Sequence, residues 1–226
     1  MDRLDLIRTV PIFSDLEDSA INKIVDIGLK RKYTKNSIVF LEEESGAILF
    51  IISTGKVKVV RTDDNGKEVI LSILGPGDFF GEMSLLDGLP RSATVVSLDE
   101  SELFIIHRRD FLNLLESTPQ VGTSLLRELT RRLRKADEQI ENLSLKDAVG
   151  RVATVILQLA DDVGKIKRGE VIIEDFPVQQ DLANMAGTSR ETISRTIHQF
   201  MRLDYLEQRS NSLVIKDYEK FKSIFS

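Results

Sequence analysis

A glycine-rich stretch over residues 75–95 carries the first group of side chains that could bind a ligand. Its sequence, GPGDFFGEMSLLDGLPRSATV, contains Glu82, Arg91 and, directly after the arginine, Ser92. A buried arginine beside free backbone amides and a hydroxyl can hold one anionic phosphate, because guanidinium donors match phosphate oxygens. A nearby glutamate can accept hydrogen bonds from ribose hydroxyls. The residues are equally compatible with turn glycines and an internal ion pair between Glu82 and Arg91.

A second group lies near the C-terminus, on two closely spaced helical segments. Gly187 supplies a turn between them, and the second helix is predicted to begin with a capping box formed by Thr188 and Glu191. Two short helices joined by a glycine turn indicate a helix-turn-helix unit. The residues predicted to face inward on the first helix are Val178, Leu182, Met185 and Ala186, and on the second Ile193, Ile197 and Phe200.

The second helix of this unit presents polar side chains near its N-terminus, where recognition helices meet base edges. Arginine can bind guanine through two hydrogen bonds, and glutamate can accept one from a cytosine amino group. Taken singly, such residues are more often caps or solvated charges. As a set on one face they favour DNA binding. The set is Glu191, Ser194, Arg195 and His198, flanked by Arg190.

A long amphipathic helix is predicted over residues 119–143, between the two groups. Its apolar residues repeat with a period of about 3.5, which keeps one stripe facing a partner helix. The charged flanks should be solvated, with Glu128 and Arg132 forming a favourable pair one turn apart. We expect the stripe to join two copies of the chain rather than to pack within one. It consists of Leu126, Leu129, Leu133, Ala136, Ile140 and Leu143.

Short β-strands are predicted ahead of this helix, where the hydrophobic period changes to two and glycine-rich turns intervene. Many short strands at close spacing indicate an antiparallel sandwich or barrel, whereas residues 1–30 are predicted as short helices. The long helix should pause near residues 142–144, and the chain should end in a two-stranded wing. The predicted strands are residues 38–41, 47–52, 56–61, 68–73, 94–98, 103–106, 170–173, 205–209 and 213–216.

The bulk composition limits the classes of protein and of site. The 226 residues include no cysteine, which excludes disulfides, thiolate zinc sites and cysteine-ligated iron–sulfur clusters. No apolar run can span a bilayer, and the early charges argue against a signal peptide, so we expect a cytoplasmic protein without membrane contact. The net charge is −5, yet residues 146–226 hold 12 basic against 12 acidic residues. Any nucleic acid must therefore bind through a localised surface.

Both groups of residues resemble motifs of a known family. The segments FGEMSLL and PRSATV are similar to the phosphate-binding cassette of the cyclic-nucleotide-binding domain, and GTSRETISRTI is close to the recognition helix of the CRP/FNR family of bacterial transcription regulators. The resemblance covers nearly the full chain. It implies an α+β fold with an antiparallel, jelly-roll-like β-roll as effector domain (1–117), a dimerisation helix and hinge (118–144), and a winged helix-turn-helix domain (145–226).

The resemblance assigns roles within the cassette. Arg91 would hold a cyclic phosphate and Glu82 the ribose 2′-hydroxyl, and the implied ligand-binding set is Gly81, Glu82, Met83, Arg91, Ser92 and Ala93. One departure concerns the base. Cyclic AMP-responsive members present two adjacent hydroxyls from the long helix to the adenine, and the matching residues here are Ala136 and Asp137. Alanine cannot hydrogen-bond a base, and an ionised aspartate only accepts.

On the DNA side, the resemblance implies four base contacts and two phosphate contacts. Val178 stands where the family often has a threonine or serine that contacts phosphate, so the side-chain hydroxyl for one contact with the DNA backbone is missing. TGTGA-like and TTGAT-like half-sites fit the pattern equally. The implied base contacts are Arg190, Glu191, Arg195 and Ser194, and the implied phosphate contacts are Thr188 and Ser189.

These features predict a homodimeric DNA-binding regulator controlled by a small effector. Cyclic AMP and cyclic GMP are the effector candidates, and the expected partners are a palindromic DNA operator, a second copy of the chain and RNA polymerase. Two alternatives stay open: a regulator of this family that needs no effector, and a nucleotide-binding module that regulates a partner protein. Haem is not expected, because His107 ends a strand and His198 lies in the DNA helix. No nucleophile–base pattern, HExxH or P-loop occurs, so we expect neither an enzyme nor a metal site.

Overall fold

The first part of the chain folds around two antiparallel β-sheets. The computed structural model describes residues 3–167 and 169–225, and the chain divides into two compact units, Met1–Lys135 and Ala136–Ser226. In the described part of the chain, no helix is both long and apolar enough to cross a membrane. The elements up to the long helix are α1 (Arg3–Thr9), α2 (Asp18–Ile27), β1 (Leu29–Tyr33), β2 (Ile38–Phe40), β3 (Ile48–Thr54), β4 (Val57–Thr62), β5 (Glu68–Leu74), β6 (Phe79–Phe80), α3 (Glu82–Asp87), β7 (Thr94–Ser97), β8 (Ser101–His107), α4 (Arg108–Ser117) and α5 (Pro119–Leu145).

The two sheets have the strand orders β1-β8-β3-β6 and β2-β7-β4-β5, and every pairing in them is antiparallel. Strand β3 is buried on both faces. Successive side chains of a strand point to opposite sides, so neighbouring residues of β3 enter different cores. Leu49 and Ile51 face a core shared with helices α1 to α5. Phe50 and Ile52 face a second core between the sheets. The antiparallel pairings confirm the predicted β-domain. The cassette follows β6 and contributes residues to both cores.

The second unit packs a helix-turn-helix pair against a sheet with the order β11-β12-β10-β9. One core joins the four helices that follow α5 and three of the strands, with Ile156, Ile193 and Phe200 among the buried residues. The unit begins with the end of α5. Its further elements are α6 (Ala148–Val163), β9 (Lys165–Lys167), β10 (Glu170–Ile173), α7 (Gln179–Ala186), α8 (Arg190–Arg202), β11 (Leu206–Arg209), β12 (Ser212–Ile215) and α9 (Tyr218–Phe225).

Several elements differ from the sequence prediction. Helix α5 continues through residues 142–144, where a pause was expected, and the break comes where Asp147 caps α6 by accepting from Gly150 N at 2.7 Å. Strands β1, β6 and β9 were not predicted. β1 and β9 are largely exposed, so they lack the alternation of a half-buried strand, and β6 has only two residues. The wing therefore belongs to a four-stranded sheet rather than a two-stranded one.

Candidate functional site

Arg91, three residues before β7, is almost completely buried, with 5% of its surface exposed. Its Nη1 donates to Gly81 O and Ser84 Oγ, both at 2.8 Å, and its Nη2 donates to Ile48 O at 2.9 Å. Its Cζ lies 4.2 Å from the centroid of the Phe40 ring. These contacts from three segments hold the guanidinium plane in one orientation.

Two glycines make room for the Arg91 side chain. A Cβ on Gly46 would stand 2.3 Å from Arg91 Nε and 2.5 Å from Ser84 Oγ. Gly81 has φ +81°, and a Cβ there would stand 2.7 Å from Arg91 Nη1. Alanine at either position must therefore displace the guanidinium or its neighbours.

The charge of Arg91 is not neutralised by the glutamate of the cassette. Glu82 pairs with Arg132 instead, so the internal ion pair between Glu82 and Arg91 is wrong. Burial lowers the pKa of Arg91 from its ordinary value, although the charges of Glu82 and Glu44 raise it. Arg91 Nε donates to no described residue. This atom is also not completely buried, so a ligand can reach it. An anion could use this donor and supply the missing charge.

Glu82, the first residue of α3, is buried and joined to α5. Arg132 Nη1 lies 3.0 Å from Glu82 Oε1, and Arg132 Nη2 donates to Phe79 O at 2.7 Å. The Cζ atom of Arg132 also lies 4.2 Å from the centroid of the Phe79 ring. The guanidinium of Arg132 is thus packed against the strand that leads into the cassette, and it neutralises the cassette carboxylate.

Glu128 is buried as well, so the prediction that the flanks of the long helix are solvated is wrong at this position. The predicted pair with Arg132 is present, with Nε 3.1 Å from Glu128 Oε1, and Arg131 donates two further bonds at 2.8 and 2.6 Å. Two guanidinium partners neutralise the carboxylate and make its burial tolerable. Burial raises the pKa of Glu128, but the hydrogen bonds from Arg131 and Arg132 outweigh it, and the pKa lies below its ordinary value.

The remaining predicted ligand residues lie around Arg91 in different environments. Ser92 and Met83 are exposed, with Ser92 Oγ 3.5 Å from Met83 Sδ, whereas Ala93 is buried. Sequence reasoning missed Gly46, Ser84 and Arg132 as parts of the site. Ser84 lies inside the cassette motif and could have been found there, but Gly46 and Arg132 come from distant segments.

The predicted dimer stripe is largely uncovered in the single chain. Ala136 is exposed, whereas Leu129 is half-buried against the core of the first unit. Asp137, the second position where cyclic AMP-responsive members carry a hydroxyl, is also exposed. The large apolar side chains left in solvent are Leu126 (67% exposed), Leu133 (63%), Ile140 (63%) and Leu143 (56%).

The helix-turn-helix unit places its polar residues largely as predicted. Gly187 has φ +57° and ends α7, and the predicted inward residues of α8 are buried. Ser194 and Thr188 are half-buried at the edge of this surface. The exposed residues at the start and along the outer face of α8 are Ser189, Arg190, Glu191, Arg195 and His198.

Two local predictions for this unit are wrong. The N-cap of α8 is Ser189, whose Oγ accepts from Thr192 N at 3.2 Å, so Thr188 and Glu191 form no capping box. Glu191 therefore stays exposed, and it bonds to no side chain in the described ranges. Val178 is the N-cap of α7 and is 66% exposed rather than inward, because a cap residue lies outside the helical repeat.

Comparison with known proteins matches both units. A model of the cyclic nucleotide-binding domain matches residues 30–118, and a model of the Crp-like helix-turn-helix domain matches residues 150–224. The Cyclic AMP receptor protein of Thermus thermophilus is 37% identical over 189 residues, which are 83% of this chain and 84% of that protein. The CRP-like cAMP-activated global transcriptional regulator of Mycobacterium tuberculosis is 32% identical over 216 residues, 96% of each chain.

Solved structures give the same picture of the fold. The Catabolite Activator Protein of Thermus thermophilus has a TM-score of 0.56 at 32% identity, covering 95% of this chain and 97% of that chain. A CooA mutant from Carboxydothermus hydrogenoformans has a TM-score of 0.78 at 23% identity, covering 94% and 92%, and at that identity it supports the fold alone.

Proposed function

Because this chain belongs to the CRP/FNR family of transcription regulators, we propose that it binds DNA as a homodimer under the control of a cyclic nucleotide held in its first unit. The observation that carries the effector part is the state of Arg91. Its guanidinium is buried, has no carboxylate paired with it among the described residues, and keeps Nε unused. A cyclic phosphate carries the single negative charge that this position lacks.

In this proposal Arg91 holds the cyclic phosphate through the free edge of its guanidinium, and the Ser92 hydroxyl adds a donor from the exposed rim. Gly46 and Gly81 serve the same end, because they let the arginine approach the backbone closely. Met83 and Ala93 would line the site beside these groups. Two relatives are named for cyclic AMP, which makes it the first nucleotide to test.

Glu82 would hold the ribose 2′-hydroxyl, and this step would connect the ligand to α5. The carboxylate is paired with Arg132, so a hydroxyl that donates to Glu82 competes with Arg132 for the same oxygens. The ligand then has a different affinity for a state in which Arg132 is paired with Glu82 than for a state in which this pair is broken. A differential of this kind is what a population shift requires.

A second candidate is a regulator of the same family that binds DNA without an effector. Ala136 supplies no hydroxyl to a nucleotide base, and Asp137 beside it is an acceptor only. Glu82 is already paired with Arg132. These observations favour a constitutively competent form, and titration with cyclic nucleotides separates the two candidates.

On the DNA side, we propose that Arg190, Glu191, Ser194 and Arg195 contact bases, with Thr188 and Ser189 at phosphates. The exposed stripe of α5 would join two copies, so that two recognition helices meet half-sites about one DNA turn, ~34 Å, apart. The described relatives are transcription regulators, and we propose a role without catalysis for this chain too. Its further partner would be RNA polymerase, in the cytoplasm.

Isothermal titration of the full chain with cyclic AMP and with cyclic GMP tests the effector site. We expect binding by the unchanged protein and at least about 10-fold weaker binding by Arg91→Gln, because the charged hydrogen bonds to the phosphate are lost. Gly46→Ala should also weaken binding, since its Cβ displaces Arg91. Gly122→Ala is the matched control, because a Cβ there meets nothing within 4 Å.

The outcomes separate the candidates. Binding that survives Arg91→Gln undiminished shows that the nucleotide occupies another site. No heat with either nucleotide, from a protein that still binds DNA specifically, favours the effector-free regulator.

A further inference from the structure

The guanidinium of Arg151, near the start of α6, bonds to backbone carbonyls from two separate segments. Its Nη1 donates to Lys146 O at 3.0 Å, its Nε donates to Ala186 O at 3.0 Å, and its Nη2 reaches Gly187 O at 3.4 Å. Arginine holds its donors in a planar fork, so three acceptors together determine the orientation of the group. Arg151 is half-buried in this position.

All three carbonyls lie at C-terminal ends of helices. Lys146 directly follows α5, Ala186 is the last residue of α7, and Gly187 is its C-cap. The last carbonyls of a helix lack partners within the helix and carry partial negative charge, so a cation stabilises them. Arg151 therefore joins the end of α5 to the end of α7 through a single side chain.

A second contact connects the same two places. Leu143 Cδ2 lies 3.2 Å from where a Cβ on Gly187 would stand, so the last turn of α5 packs on the turn of the helix-turn-helix unit. Residues 187–189 of this turn lead straight into α8, and Arg190 and Glu191 are its first two residues. The N-terminus of the recognition helix thus follows directly from the point where Arg151 and Leu143 hold the turn.

We propose that Arg151 is a positioning residue that sets the place of α8 relative to the end of α5, and thereby the half-site spacing that the dimer accepts. The proposal rests on the proposed function, because spacing matters only to a dimer on an inverted repeat. Two recognition helices must stand about one DNA turn apart to bind both half-sites together. Loss of the three Arg151 hydrogen bonds lets α8 shift relative to α5, while the side chains of α8 that contact bases stay the same. Spacing selectivity then falls, while binding to one half-site persists.

The test uses the full chain and a fluorescein-labelled inverted-repeat duplex selected in vitro with the unchanged protein. Companion duplexes have the spacer lengthened or shortened by one base pair, and another carries a single half-site. Arg151→Met removes all three bonds, and Arg151→Lys keeps the charge but not the planar fork. Lys146→Met is the matched control. It removes a nearby positive charge that bonds Phe225 O and Thr154 Oγ1, but it leaves the backbone carbonyl that Arg151 binds.

We expect the unchanged protein to lose at least about 10-fold in affinity for a one-base-pair change of spacer, given the geometric demand of two half-sites. Arg151→Met should reduce this penalty to below about 3-fold while half-site affinity stays within about 2-fold. Arg151→Lys should fall between the two. Lys146→Met should keep the full penalty.

Four results overturn the inference. They are an unchanged protein that tolerates spacer changes, an Arg151→Met protein that keeps the full penalty, a parallel loss of half-site and operator affinity in that variant, and equal relaxation by Lys146→Met. If Arg151→Met does not fold, an Arg151→Lys protein that keeps the full spacer penalty also overturns the inference. If the unchanged protein does not bind the inverted repeat at all, the proposed function fails instead.

Discussion

Arg132 Nη1 lies 3.0 Å from Glu82 Oε1, which pairs a cation of α5 with the buried carboxylate at the start of α3. The same guanidinium reaches Glu128 one turn earlier in α5. The helix that carries the exposed apolar stripe is therefore tied to the cassette by a charge network rather than by apolar packing alone. A ligand that changes the partners of Glu82 acts on that helix directly.

Arg132→Met should lower the free energy of unfolding by about 3 kcal/mol, because it leaves the buried Glu82 carboxylate without a counter-ion. Urea unfolding at pH 7 measures the change. Adding Glu82→Gln to this variant should restore part of the loss, since the unpaired charge is then gone. The control Arg127→Met removes an arginine of the same helix that is mostly exposed, and it should change stability little. Equal losses in Arg127→Met and Arg132→Met contradict the network.

Glu128 should make the stability depend on pH in a defined direction. Folding lowers its pKa below the ordinary value of 4.5, so the ionised carboxylate stabilises the folded chain above that pH. The contribution is lost as the pH falls from about 4.5 through the lower pKa of the folded state. We expect Glu128→Gln to be about 2 kcal/mol less stable at pH 7, where the charged hydrogen bonds are lost. Urea unfolding at several pH values should show the difference in stability between Glu128→Gln and the unchanged protein shrinking below pH 4.5. A difference that stays constant with pH contradicts this role of Glu128.

The Glu82–Arg132 pair also shows where prediction from sequence ends. The period of the α5 stripe and the turn at Gly187 are local patterns, and the structure confirms the exposure of the stripe and the conformation of the turn. The pair joins residues 50 positions apart, and each has a satisfactory local explanation without the other. Nothing in a linear pattern indicates that Arg132 leaves the solvated flank and turns toward the β-roll.

The errors at helix ends have a related cause. Val178 fits the inward spacing of α7 but precedes its first helical residue, so the spacing no longer predicts its direction. Ser189 and Thr188 are both good caps, and a shift of one residue moves Glu191 from a capping position to an exposed one. The space around Gly46 depends on Arg91, which a local pattern does not connect with it.

The recognition face of α8 should contribute to DNA specificity without contributing to stability. Arg195→Ala should weaken binding to the selected operator by about 10- to 100-fold, the range expected for loss of one base contact. Its thermal unfolding should stay unchanged, because Arg195 is exposed. Lys220→Ala, which removes an exposed charge of α9, is the control for net charge. Electrophoretic shifts that are the same for Arg195→Ala and the unchanged protein contradict the assignment.

The apolar stripe of α5 should be the interface between two copies of the chain. Leu133→Glu should convert a dimer to a monomer in sedimentation experiments, because it places a charge in a surface buried on association. Leu89→Glu is the matched control, since Leu89 and Leu133 are both 63% exposed and Leu89 lies outside α5. A Leu133→Glu protein that stays dimeric, or an unchanged protein that is monomeric at all concentrations, argues against this interface.

In the proposed function, a cyclic nucleotide bound at Arg91 controls DNA binding by α8. Fluorescence anisotropy with the selected inverted repeat, with and without cyclic AMP, measures this coupling directly. We expect the nucleotide to raise operator affinity by at least about 10-fold in the unchanged protein, within the usual range of coupling energies, and to have no effect in Arg91→Gln. An operator affinity that the nucleotide leaves unchanged, or alters equally in Arg91→Gln, contradicts it.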